Sequence, residues 1–62
     1  MNRSAEIPII VRLRQFVEDS DLSLYQIASL IGTSGTILSM WLAGTARPNM
    51  TKVDEIEKFL KP

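Results

Sequence analysis

Between Ser23 and Pro48 the chain reads S-L-Y-Q-I-A-S-L-I-G-T-S-G-T-I-L-S-M-W-L-A-G-T-A-R-P, and this one stretch holds two helix starts and two helix stops. Ser23 is followed three residues later by Gln26, the spacing of a capping box, in which a hydroxyl and an amide satisfy reciprocal backbone groups. Gly32 accepts the left-handed backbone that commonly follows a helix end. Ser34 then caps a second helix, Gly35 to Ala43, and Gly44 stops it as Gly32 stops the first. Two helices joined by so short a turn cross steeply, so a small residue is needed where their backbones approach, and Ala28 stands there. Ile27, Ala28 and Ile31 make the inward face of the first helix. Leu38 and Trp41, three residues apart, anchor the second from beneath.

The flanks extend the pattern. Pro8 suits a first helical position, and Ile9, Ile10, Leu13, Phe16 and Val17 follow as one apolar stripe, with Arg12, Arg14 and Gln15 directed away from it. Glu18-Asp19-Ser20-Asp21 ends that helix with turn-forming residues. Pro48 bars its predecessor from helical conformation, and Asn49, with Thr51 as the rival, caps a last helix from Met50 to about Leu60. Val53, Ile56 and Leu60 form its inward stripe; Asp54, Glu55, Glu57 and Lys58 form a solvated face. The expectation is an all-α, compact four-helix domain spanning residues 1–62. Residues 1–7 are read as a loose arm and a helix-turn-helix pair as occupying 23–43.

Composition narrows the chemistry. A 62-residue chain buries only about 60% of its unfolded surface, so its stability is marginal and dimerisation would help it. Cysteine and histidine are both absent, which removes disulfides, thiolate chemistry and the commonest metal ligands, and no paired carboxylates suggest a cleft. No catalytic residue, metal or cofactor is expected. Seven basic residues balance seven acidic ones, so any positive field is local. No residue from Leu22 to Ala46 is charged, yet Ser, Thr, Gly and Gln interrupt the stretch too often for a bilayer-spanning helix. The N-terminus has no apolar signal region, and the location expected is cytoplasmic, at the nucleoid.

On the residues Leu22, Ser23, Ile27 and Ala28 and the run G-T-S-G-T-I-L-S-M-W-L-A-G-T-A-R-P from Gly32 to Pro48, the chain resembles the phage repressor and Cro family of small helix-turn-helix regulators. The resemblance covers most of residues 9–60. It implies a compact helical domain that binds double-stranded DNA, usually as a homodimer on an operator with two-fold symmetry. It also implies base contacts from Ser34, Gly35, Thr36, Ser39 and Met40, and phosphate contacts from Ser23 and Leu24 and from Thr45 and Arg47. The structural positions of the motif fall on Ala28, Ile31, Gly32, Leu38 and Trp41. The family commonly places Gln where this chain has Leu24, Arg where it has Val17, and a large polar or basic residue where it has Gly35.

With those long side chains missing, Ser and Thr hydroxyls are left to bond base edges, and the Thr36 methyl or Met40 thioether to touch a thymine methyl. Arg12, Arg14, Arg47 and Lys52 are the cations that flank the neutral helix and are expected at phosphates. The function expected is sequence-specific regulation of transcription, most simply repression. The alternative is a protein-interaction module that keeps the fold and binds a partner through the neutral surface around Leu24, Leu30, Met40 and Leu42.

Overall fold

The structure is a computed structural model that describes residues 8–61; the arm expected over 1–7 lies outside the described residues. Four helices follow one another: α1 (Pro8–Asp19), α2 (Leu24–Ile31), α3 (Gly35–Ala43) and α4 (Met50–Leu60). No strand occurs among the described residues. α2 packs on α3 and α1 on α4, while α2 also meets α4 and α1 meets α3, so the two pairs close around one interior.

That interior is built from the apolar stripes. Ile9, Ile10 and Leu13 from α1, Ile27, Ala28 and Ile31 from α2, Leu38 and Trp41 from α3, and Ile56 from α4 are all buried. Phe16, Val17, Leu24, Leu42, Ala46, Val53, Phe59 and Leu60 pack around them, half-buried. Phe59, half-buried on α4, meets Phe16 edge-to-face, ring centroids 4.9 Å apart at 79°. That geometry suits the opposed charges of ring edge and ring face. It stitches the C-terminal turn of α4 to α1.

Both short helices begin and end by the same devices. The Ser23 hydroxyl accepts from the Gln26 amide at 3.1 Å while the Ser23 amide donates to Gln26 Oε1 at 2.8 Å, which completes the capping box. Ser34 Oγ accepts from the Ile37 amide, and Asn49 Oδ1, rather than Thr51, accepts from the Lys52 amide to start α4. At the other ends Gly32 and Gly44 adopt φ of 92° and 83°. Thr33 and Thr45 then donate their amides to Ala28 and Met40 carbonyls, and Gly32 and Gly44 to those of Ser29 and Trp41. These are two copies of the Schellman arrangement, which satisfies carbonyls that a helix end leaves over.

Candidate nucleic-acid interface

α3 divides along its length into an anchored side and an open side. Leu38 and Trp41 are buried, Trp41 to within 4% of complete, whereas Thr36, Ile37, Ser39, Met40 and Ala43 are exposed. Ser39 and Met40 stand three and four residues after Thr36, one turn further on, and so lie on the same side of the helix. This face offers two hydroxyls, a thioether and no charge. Ile37, 40% exposed, belongs to the open side although its apolar character gives no hint of it in the sequence.

The start of the helix differs from expectation. Gly35, expected on the open face, is buried because the ring of Tyr25 from α2 lies over it. Ser34 is exposed, and its hydroxyl is engaged as the cap of α3 while keeping its own hydrogen to donate. Ser23 does the same at the start of α2. Leu24, expected at a phosphate, is half-buried against the core, so its side chain is turned to packing while its backbone opens α2. Gly32, counted among the structural positions of the motif, lies at the surface, where its left-handed backbone makes the turn.

The cations also separate into two kinds. Arg12 and Arg47 are exposed. Arg14, expected to face solvent beside Arg12, is instead half-buried, and its guanidinium donates to the Leu42 carbonyl in the last turn of α3 at 2.8 Å. Lys52 donates from Nζ to the Gly32 carbonyl at 2.6 Å, just past the end of α2. Each places a positive charge where a helix C-terminus carries partial negative charge. Two of the four cations assigned to phosphate from the sequence thus hold the ends of the motif's own helices. Thr45 is exposed, but its hydroxyl and amide both donate to the Met40 carbonyl as part of the α3 stop.

Among the described residues there is no group of His, Cys, Asp or Glu placed to hold a metal ion, and no helix is long and apolar enough to cross a membrane. The model of a family described as helix-turn-helix matches residues 13–61, which takes in all of α2, α3 and α4 and part of α1. Comparison with curated proteins and with solved structures gave no match.

Proposed function

The chain belongs to the helix-turn-helix family of phage repressor and Cro type, a class of DNA-binding regulators, and on that premise we propose that it is a sequence-specific repressor that docks α3 in the major groove. The observation that carries this reading is the two-sidedness of α3. Leu38 and Trp41 fix one side in the core, and the other presents Thr36, Ser39 and Met40 as a continuous strip that a groove can receive. Small uncharged side chains let the helix sit deep, where hydroxyls bond base edges and the thioether meets a thymine methyl. Phosphates are met by Arg47 after α3, by Arg12, and by the backbone amides that open α2 and α3. Two copies bind half-sites about one helical turn apart, as equal reading helices on one face of the duplex require. The protein acts in the cytoplasm, residues 1–62 forming one DNA-binding domain.

Selection from random duplex DNA, followed by binding at two salt concentrations, tests this directly. A palindromic site with two protected patches on one face is expected; a single patch with one protein per site would defeat the two-fold arrangement. Within that assay Arg47→Ala should weaken selected and random DNA alike and flatten the salt slope by about one ion. Thr36→Ala and Ser39→Ala should lose about 1 to 3 kcal/mol on the selected site alone, with the slope unchanged. The exposure of Leu30, Ile37 and Met40 favours a second reading, a protein partner on this neutral surface. That reading takes the lead if all three variants bind the selected site like the parent.

A further inference from the structure

Three glycines occur in the chain, and two of them are explained by backbone: Gly32 and Gly44 have the positive φ that side chains resist. Gly35 has no such need. Its φ is not positive, and glycine at a helix position is disfavoured relative to alanine. What it provides is room, because a Cβ there would overlap Cδ1 and Cε1 of Tyr25. The ring nevertheless is not put away: Tyr25 is 72% exposed while the glycine beneath it is buried. A phenylalanine would cover Gly35 equally well, so the group left to account for is the hydroxyl, held at the junction of the first turns of α2 and α3.

We propose that Tyr25 supplies from α2 the side chain that α3 lacks at its first residue, and that its hydroxyl donates to a phosphate oxygen of the bound duplex. This rests on the reading of α3 as the helix that enters the groove. A phenol adds a directed donor without adding a charge, and tyrosine is among the side chains that bond phosphate oxygens. It is therefore a contact compatible with a stretch, Leu22 to Ala46, that carries no charge at all. The seat on Gly35 fixes where the hydroxyl stands, so position 35 controls a contact that position 25 makes.

Binding of the full chain to the selected duplex and to random duplex, at two salt concentrations, separates the roles. Tyr25→Phe keeps the ring on its seat and should weaken both duplexes by about 10-fold, the worth of one hydrogen bond from a neutral donor to a charged acceptor, with the salt slope unchanged because no ion is lost. Gly35→Ala should weaken binding to a similar degree by displacing the ring, and should do nothing further in a Tyr25→Ala background. Since this is the chain's one tyrosine, acetylation of its hydroxyl gives a second readout, and DNA should slow it. Tyr25→Phe binding like the parent, or acetylation at one rate with and without DNA, would overturn the contact while leaving α3 as the reader if Thr36→Ala and Ser39→Ala still lose affinity. A parent chain that binds no duplex removes both.

Discussion

The outer helices and the inner ones are held in different ways. α1 and α4 are amphipathic in the ordinary sense, with charged solvent faces, an apolar stripe each, and the Phe16–Phe59 contact along their seam. α2 and α3 carry no charge and expose several apolar side chains, and in addition to the five core residues they supply they are held at their ends. Each is capped by a serine, closed by a left-handed glycine, and met at its C-terminus by a cation from another helix, Lys52 for α2 and Arg14 for α3. The contrast shows that a helix without a charged face can be positioned at its termini as well as through its core stripe, because there the backbone offers unpaired donors and acceptors.

Trp41, buried in the core that the outer and inner helices share, sets the largest expected effect. Trp41→Ala should cost about 3 to 5 kcal/mol, the range for truncating a large core aromatic, which in so small a domain leaves little folded chain. Thermal and urea denaturation followed by circular dichroism check it, and near-parental stability would mean that the halves do not depend on this residue. Phe59→Ala probes the outer seam alone. A loss of about 2 kcal/mol is expected for a half-buried ring with one edge-to-face partner. If α2 and α3 are held by their ends, amide exchange at Thr33 and Thr45 should change only as far as global stability does; selective loss of protection there would join the two regions that the comparison separates.

Ser34→Ala should cost about 1 kcal/mol by leaving the Ile37 amide without its cap. Asp at the same position should restore most of it, and a failure of both changes to move stability would show that the α3 start is held by packing alone. The smallest effect belongs to Lys52→Met, which keeps the stem but removes the charge at the end of α2. About 0.5 kcal/mol is expected, diminishing as salt screens the charge. An effect independent of salt would assign the lysine's contribution to its hydrogen bond with the Gly32 carbonyl rather than to its charge.

Features with local causes were legible in the sequence. The boundaries of α3, the capping box at Ser23 and the two glycine stops follow from neighbours within one turn, and the structure places them where that pattern does. The apolar periodicity likewise located the nine residues of the hydrophobic core, because facing inward is a property of spacing. What the pattern missed was tertiary. Arg14 and Leu42 are 28 residues apart and Lys52 and Gly32 are 20 apart, so nothing along the chain distinguishes those cations from the exposed Arg12 and Arg47. Gly35 was misplaced for the same reason: spacing puts it on the open side of α3, and only a ring from α2 buries it. Asn49 and Thr51 both fit a helix start by residue type, and the hydrogen bond to Lys52 decides for Asn49.

The clamps on α2 and α3 share a property with a practical consequence. Arg14 grips the carbonyl of Leu42, Lys52 that of Gly32, Thr45 that of Met40, and Ser34 accepts from the amide of Ile37; in every case the atom held on the helix side is main chain. Such a mount is indifferent to what residues 36, 39 and 40 carry as side chains. Those three positions can therefore be rewritten together, by drift or by a designer grafting another specificity, and the helix would still be presented at the same angle and depth. Only position 35 is tied, through the ring above it, to a choice made elsewhere in the chain.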